Sequence, residues 1–361
     1  MSAAWIDQAG ALPALPDREP LGLDTEFMRR NTFHPKLALV QAAHLSERWL
    51  LDPLAYAVGA DMRALVADRT CVMHSASEDL EALMPLLDDT PLDLFDTQIA
   101  AALCGMGAGL SYQKLVAGVL DIAIPKDETR SDWLQRPLTA SQLDYAEQDV
   151  AHLAALHDRL AAELERHGRA TWHAEDCARL VQRARRNQTE TDPQPQRGFS
   201  AAADWHPDAQ VRLKRMLLWR DLAARKLDRP RPWVLDDAHA LSLAQQPPAT
   251  AQALFDRVKG LRAMRGPQRA ELLTLLQATS TPEELEALQP IPPAPKGEAK
   301  RAIDAMRTVV QAVAEKLALP AGLLCPRRLL EEFAVSRVWP AGLQGWRASV
   351  LETELTPLLP S

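Results

Sequence analysis

The chain has 361 residues, a length that suits two or three domains. Hydrophobic residues make up 47% and charged residues 25%, which is ordinary for a globular protein, and no apolar run approaches the roughly 20 residues needed to span a bilayer. The net charge of −7 argues against a protein that coats nucleic acid through its overall charge, but it does not exclude a local basic surface.

The first strong strand pattern, at residues 21–27, carries two carboxylates within an apolar run. Strand side chains alternate between two faces, so Asp24 and Glu26 project from the same face. Two adjacent anions among apolar residues repel each other and lose hydration, and a bound cation offsets that cost. Oxygen ligands suit a hard ion such as Mg²⁺ or Mn²⁺. From this pair alone, a polar edge strand with both acids in water remains the alternative.

Short apolar segments and helical periodicities then alternate as far as about residue 168, which predicts an α/β domain. The first strand and the next two are expected to form an antiparallel meander. Further strands are predicted at residues 36–43, 48–53, 70–74 and 92–96, and helices at residues 61–67, 78–87, 97–104, 112–120 and 139–166.

Asp79 follows the strand predicted at residues 70–74. Ser77 is the predicted N-cap of the next helix, which places Asp79 in its first turn. Open α/β sheets bind ligands at such strand ends, so Asp79 is a candidate site residue. The alternative is a carboxylate that only benefits from the helix dipole.

The helix predicted to run to about Arg166 opens with a capping box at Thr139 and Gln142. Tyr145 and Asp149 lie four residues apart on it and are neighbours on one face. They could form a structural hydrogen bond. Alternatively, Asp149 is a metal ligand with a hydroxyl one turn away that can orient a water.

Candidate nucleic-acid contacts lie further along the chain. Residues 126–138 are predicted to be irregular and include Trp133 and Arg136. Residues 212–231 predict an amphipathic helix with a basic exposed face, either a solvated surface or a phosphate-contacting one. The five candidate contacts are Trp133, Arg136, Arg212, Arg215 and Arg220.

Changes in composition predict the domain boundaries. Residues 1–170 form the α/β domain, 171–205 a helical extension and linker, 206–286 an all-helical domain, 287–299 a proline-rich linker, and 300–361 a second helical unit. The four cysteines are widely separated and form no CxxC pair, which disfavours a disulfide framework and a zinc ribbon. Since the N-terminus does not match a secretory signal, we expect buried, reduced thiols in a cytoplasmic protein.

Three motifs together resemble those of a known enzyme superfamily. They are Asp24-Thr25-Glu26, the segment 74–79 that ends in Asp79, and the segment 145–149 that runs from Tyr145 to Asp149. This set resembles the DEDD-type 3′–5′ exonucleases, in the subclass with a tyrosine four residues before the last aspartate. Residues 94–98 and 132–138 are similar to the ribonuclease D family. Residues 207–276 resemble the helicase-and-RNase-D C-terminal (HRDC) domain, and residues 302–360 resemble a more divergent second copy.

The resemblance implies a fold and a site. The fold is an α/β ribonuclease H-like exonuclease domain, with a mixed sheet flanked by helices, followed by two small all-α HRDC-type domains. The implied catalytic residues are Asp24, Glu26, Asp79, Tyr145 and Asp149. The four acids would hold two divalent ions, Mg²⁺ or Mn²⁺, and Tyr145 would position a water.

The implied activity is 3′–5′ hydrolysis of single-stranded RNA ends to nucleoside 5′-monophosphates, in the 3′ maturation of tRNA precursors and other small structured RNAs. We expect a monomer that does not bind a membrane. Two alternatives stay open: a DNA 3′–5′ exonuclease of the same superfamily, and a non-catalytic RNA-binding scaffold. The complete set of acids counts against the scaffold.

Overall fold

The computed structural model describes residues 3–15, 18–124 and 131–359, and these fall into two compact units. The first unit takes the described residues of 1–28, 36–188 and 297–361, and the second takes residues 29–35 and 189–296. The first part of the irregular segment predicted at 126–138, up to residue 130, lies outside the described residues.

Six strands of the described residues form one mixed sheet in the first unit. The middle strands β2, β3 and β4 pair antiparallel, and β1, β5 and β6 add parallel pairs at the two sides, in the order β1-β4-β3-β2-β5-β6. This confirms the predicted meander and the mixed sheet. The strands are β1 Ala4–Ile6, β2 Leu21–Met28, β3 Lys36–His44, β4 Glu47–Leu51, β5 Thr70–Met73 and β6 Asp93–Asp96.

Helices cover both faces of this sheet. On one face, Leu21 and Leu23 of β2 pack in an apolar cluster with the helices at residues 59–66 and 77–87. On the other face, a second apolar cluster contains Val72 and Phe95 of the sheet together with residues of the helices that follow β6. The helices that precede the second unit are α1 Gly59–Val66, α2 Ser77–Leu87, α3 Thr97–Leu103, α4 Tyr112–Leu120, α5 Ala140–Ala151, α6 Leu153–Arg166 and α7 Ala170–Thr189.

The last helices of the chain belong to the first unit and share its second apolar cluster. Leu156 and Leu160 of α6 lie in the same cluster as Met306 and Val310. The chain passes from the second unit back to the first between residues 296 and 297, within the predicted linker 287–299, but the residues that follow do not form a compact unit of their own. These helices are α14 Gly297–Leu317, α15 Ala321–Leu324, α16 Arg327–Ser336 and α17 Trp346–Leu355.

Polar contacts reinforce this shared core. The buried Arg169 guanidinium donates to the carbonyl oxygens of Leu103 and Leu317, each at 2.5 Å. Gly105 has φ +78°, and a Cβ at that position would lie 2.7 Å from the Ala318 carbonyl oxygen. Only glycine fits so close a backbone approach in that conformation. The C-terminal helices are thus closely fitted to the turn after α3.

Two local predictions are wrong. Ser77 is the first residue of α2 rather than its N-cap, and the cap residue Ala76 has no side-chain capping bond. The turn is held instead by Asp96, whose carboxylate accepts hydrogen bonds from the backbone N–H groups of Ser75 and Ala76 at 3.3 and 2.9 Å.

The second error concerns the long helix predicted at 139–166. Its capping box forms as predicted, but the helix is interrupted at His152. The Tyr112 hydroxyl accepts a hydrogen bond from the His152 N–H and donates one to the Gln148 carbonyl, both at 3.2 Å. A side chain inserted between an N–H and the carbonyl four residues earlier bends a helix.

The second unit is helical and has its own apolar core around Leu213, Met216 and Leu217 of its longest helix. Residues 29–35 join it: the backbone N–H groups of Phe33 and His34 donate to Asp228 Oδ1. Its helices are α8 Pro207–Leu227, α9 Arg231–Val234, α10 Asp237–Gln245, α11 Ala251–Val258, α12 Gly266–Gln277 and α13 Pro282–Glu286.

Two further features concern the chain as a whole. No helix in the described part of the chain combines the length and the apolar character that crossing a membrane requires. Cys71, Cys177 and Cys325 are buried free thiols, as predicted, whereas the free thiol Cys104 is half-buried.

Candidate active site

Strand β2 presents Asp24 and Glu26, both half-buried, toward the junction of α5 and α6. Gly22 lies on the same face two residues earlier. A Cβ at Gly22 would lie 3.2 Å from Leu153 Cβ and 3.4 Å from the Val150 carbonyl oxygen, so the missing side chain lets this junction approach the strand. That approach brings Asp149, near the end of α5, to the acids of β2.

The carboxylates of Asp24, Glu26 and Asp149 form a cluster. Each offers one oxygen, and these oxygens lie within 4.8 Å of one another. Burial and the neighbouring acids raise all three pKa values: that of Asp24 well above its ordinary value, that of Glu26 to about 9 and that of Asp149 to about 7. No arginine or lysine among the described residues is a cause of these shifts, so no cation of that part of the chain balances the cluster.

Asp79 reaches the same region from the first turn of α2 but is not one of the three clustered residues. Its Oδ1 accepts a hydrogen bond of 2.6 Å from the Thr25 hydroxyl, and both side chains are buried. Its charge is among the causes that raise the pKa values of Asp24, Glu26 and Asp149. Burial raises the pKa of Asp79 itself to about 6, although the bond from Thr25 opposes the shift.

Tyr145 lies one helical turn before Asp149 and is half-buried. Its hydroxyl lies close enough to the Asp149 carboxylate for each group to shift the pKa of the other. Burial, followed by the charges of Asp149, Glu26 and Asp24, raises the pKa of the phenol above its ordinary value of 10. The phenol is therefore protonated at neutral pH and can donate a hydrogen bond.

Two residues that hold this site in place, Thr25 and Asp96, are not among the residues predicted from the sequence. Thr25 was overlooked because its side chain projects from the face opposite to Asp24, and only the fold brings Asp79 to that face. Asp96 was overlooked because it appeared as the end of a strand. Its position directly before a helix, where aspartate is a favoured N-cap, was the available signal: its carboxylate accepts from the N–H groups of Gln98 and Ile99.

Comparison with known proteins decides the family. A family model described as 3′–5′ exonuclease matches residues 3–165, and one described as HRDC domain matches residues 209–266. The chain is 43% identical to the ribonuclease D of Xanthomonas oryzae pv. oryzae, covering 94% of this chain and 93% of that protein. It is 38% identical to the ribonuclease D of Pseudomonas paraeruginosa, covering 91% and 88%.

The chain belongs to the ribonuclease D family. The crystal structure of Escherichia coli RNase D, described as an exoribonuclease involved in structured RNA processing, matches with a TM-score of 0.81 at 26% identity, covering 99% of this chain and 98% of that one. The predicted family, the enzyme class and the fold of an exonuclease domain followed by an HRDC domain and a helical C-terminal region are confirmed. The chain is therefore an exoribonuclease of the ribonuclease D type.

Two side chains predicted to contact RNA are structural in this ribonuclease D family member. Trp133 is only 4% exposed and cannot serve as a stacking surface. Arg136 binds both oxygens of Asp52 at 2.7 Å and the Ala38 carbonyl at 2.6 Å. Burial favours the neutral form of Asp52, but the bonds from Arg136 outweigh it and lower the pKa of that carboxyl.

The three predicted contacts on α8 also have internal partners, because the helix lies inside the second unit. Arg212 Nε donates to the Ala244 carbonyl, and Arg220 pairs with Asp237 at 2.6 Å. Arg215 pairs with Glu284, and its hydrogen bonds lower the pKa of Glu284 to about 2. The predicted basic exposed face is therefore wrong for Arg212, Arg215 and Arg220, and we do not retain them as RNA contacts.

Proposed function

We propose that this chain hydrolyses the terminal phosphodiester bond at RNA 3′ ends, with two divalent ions held by Asp24, Glu26, Asp79 and Asp149, and releases nucleoside 5′-monophosphates. The observation that carries this proposal is the cluster of Asp24, Glu26 and Asp149 oxygens within 4.8 Å, with no protein cation among the described residues to balance them. An oxygen-only donor set of this kind fits Mg²⁺ or Mn²⁺.

Each residue has a distinct part in the proposed reaction. When bound, a pair of such ions makes water more acidic and stabilises negative charge at the leaving oxygen. Asp24, Glu26 and Asp149 supply ligand oxygens from β2 and α5. Asp79 supplies another from α2, at the opposite side of the strand, and Thr25 fixes its orientation.

Tyr145 is proposed to orient the attacking water. Its phenol keeps its proton at neutral pH because burial and the nearby acids raise its pKa. A protonated phenol acts as a hydrogen-bond donor and as an orienting group rather than as a free base. The spacing of four residues on α5 keeps the Tyr145 hydroxyl on the same helix face as Asp149, beside the carboxylate cluster.

The proposed substrates are single-stranded 3′ ends, including those of tRNA precursors and other structured RNAs. Support comes from the names of the related proteins and from the description of the Escherichia coli enzyme. We further propose that the protein acts in the cytoplasm as a monomer. Its four free cysteines agree with a reducing compartment.

Removing the ions should abolish activity. We expect Mg²⁺ or Mn²⁺ to support stepwise shortening of a 5′-labelled single-stranded RNA from its 3′ end, and excess EDTA to stop it, because the acids alone cannot activate water. Gel electrophoresis would follow the shortening, and chromatography would identify the released nucleotides. A DNA strand of the same sequence is the matched substrate. Preferential shortening of DNA would favour a DNA exonuclease, and no shortening of either strand would favour a scaffold.

Replacing Thr25 should impair the enzyme through Asp79. Thr25→Val keeps the side-chain shape but removes the only hydroxyl that bonds Asp79 Oδ1 among the described residues. Mutating a residue that hydrogen-bonds to a metal ligand typically lowers metal affinity or activity by about 10–100-fold, so we expect a loss of that size for Thr25→Val. The loss should appear as a higher Mn²⁺ concentration at half-maximal activity.

The control for this variant is Thr25→Ser, which keeps a hydroxyl and should retain most activity. If the valine and serine variants lost activity equally, the hydrogen bond to Asp79 would not be what matters at this position.

A further inference from the structure

Gln41 of β3 is completely buried, and neither its amide nitrogen nor its amide oxygen has a hydrogen-bond partner among the described residues. Two other buried glutamines are paired at both ends of the amide, and a third, Gln196, is paired through its nitrogen. Gln142 accepts from the Thr139 N–H and donates to the Asp132 carbonyl. Gln210 donates to the carbonyls of Ala203 and Trp205 and accepts from the Ile291 N–H. The unpaired amide of Gln41 therefore needs an explanation, since buried polar groups are nearly always hydrogen-bonded.

The strand register locates this amide. Gln41 is directly opposite Asp24 in the antiparallel pairing of β2 and β3. Residues directly opposite each other project from the same face, with Cβ atoms about 4.5–5.5 Å apart. Gln41 thus shares the sheet face of Gly22, Asp24 and Glu26, which faces the α5–α6 junction.

The unpaired amide lowers the stability of the protein without ions, because it has lost its hydration and gained no partner. A carboxylate that binds an ion can supply the missing acceptor for this amide. A carboxylate accepts several hydrogen bonds, and a bound ion occupies only some of its lone pairs. Ligand carboxylates in metal sites are commonly held by such a second hydrogen bond.

We propose that Gln41 is a positioning residue of the ion-loaded site, in which its amide Nε2 donates a hydrogen bond to the Asp24 carboxylate. This role rests on the proposed function, because it requires Asp24 to bind an ion. In this role, the neutral amide of Gln41 on β3 increases the affinity of the site for ions although it does not itself bind them.

The test compares thermal unfolding and ion binding in Gln41→Met and the unchanged protein. Methionine keeps the length of the side chain and removes its polar atoms. In EDTA we expect Gln41→Met to unfold at a temperature a few degrees higher, because the unpaired amide is gone. Mn²⁺ binding, measured by calorimetry, should weaken by about 10–100-fold, and the rise in Tm caused by Mn²⁺ should shrink.

Two further variants sharpen the test. Gln41→Glu adds a carboxylate opposite Asp24, so it should lower Tm in EDTA and enlarge the rise caused by Mn²⁺. Gln210→Met removes a fully bonded buried amide in the second unit, so it should lower Tm equally with and without Mn²⁺.

The possible failures are distinguishable. If the unchanged protein bound no Mn²⁺, both the proposed function and the role of Gln41 would be overturned. If the unchanged protein bound Mn²⁺ and Gln41→Met bound it equally well, only the role of Gln41 would be overturned. A fall in Tm in EDTA for Gln41→Met would also contradict the role, because it would mean that the amide is paired without ions.

Discussion

Asp24→Asn is expected to slow RNA shortening by about 10³-fold or more, because it removes a charged ligand from the centre of the carboxylate cluster. Ions contribute several kcal/mol to such reactions, and each 1.36 kcal/mol corresponds to a factor of ten. The same change should raise the Tm of the ion-free protein, because one of the mutually repelling acids is replaced by a neutral amide. Single-turnover rates with saturating Mn²⁺ and unfolding curves in EDTA would measure the two effects.

Asp149→Asn should behave in the same way, since Asp149 is the member of the cluster contributed by α5. The matched control is Asp144→Asn on the exposed face of that helix, which should change neither rate nor Tm appreciably. A rate for Asp24→Asn close to that of the unchanged enzyme would refute the proposed ligand set. A lower rate together with a higher Tm would show that the loss of activity is not caused by unfolding, because an unfolded variant would lose both activity and stability.

Tyr145→Phe is expected to reduce turnover by about 10²–10⁴-fold, the range typical for a positioned group that handles a proton or orients water. The substitution removes one oxygen and keeps the ring, so the packing against Trp133, at 6.0 Å between ring centroids, should persist. Mn²⁺ affinity should stay nearly unchanged, because the hydroxyl is not a ligand. Calorimetry for Mn²⁺ together with single-turnover kinetics would separate these two quantities.

Tyr112→Phe is the control for this variant. Tyr112 is a second phenol near the acids, but its hydroxyl bonds the backbone at the α5–α6 junction. We expect its loss to lower stability by about 0.5–1.5 kcal/mol and to affect turnover much less than Tyr145→Phe does. Equal effects of the two variants on turnover would mean that Tyr145 only supports the fold. A parallel loss of Mn²⁺ affinity in Tyr145→Phe would contradict the proposed role as well.

The sequence predicted best what depends on neighbouring residues. The alternation of residues 21–27 identified β2 and the shared face of Asp24 and Glu26. The capping box at Thr139 and Gln142 predicted the first turn of α5, and the spacing of four residues predicted that Tyr145 and Asp149 are neighbours on one face of it. Each of these features depends on residues two to four positions apart, so a single sequence is enough to predict it.

Features set by distant residues were not predicted. The break at His152 depends on a hydroxyl 40 residues away in the chain, at Tyr112. The arginines of α8 looked exposed because their partners, Asp237 and Glu284, lie on helices that only the tertiary fold brings close. The position of the unpaired Gln41 amide opposite Asp24 depends on the register between β2 and β3, which the sequence alone does not give.

The insertion of one compact unit between two parts of the other has a consequence during synthesis on the ribosome. Residues 189–296 contain their own core and need no later residues to bury it. The sheet-bearing part emerges earlier, but the helices that cover Leu156 and Leu160 of α6 come last. At translation rates of about 5–20 residues per second, the roughly 200 residues from Leu160 to the end of α17 take about 10–40 s to synthesise, and this apolar surface stays open for that time. The nascent chain therefore completes the second unit before the first, and the unit that carries the carboxylate cluster closes only after residues 297–355 have been synthesised.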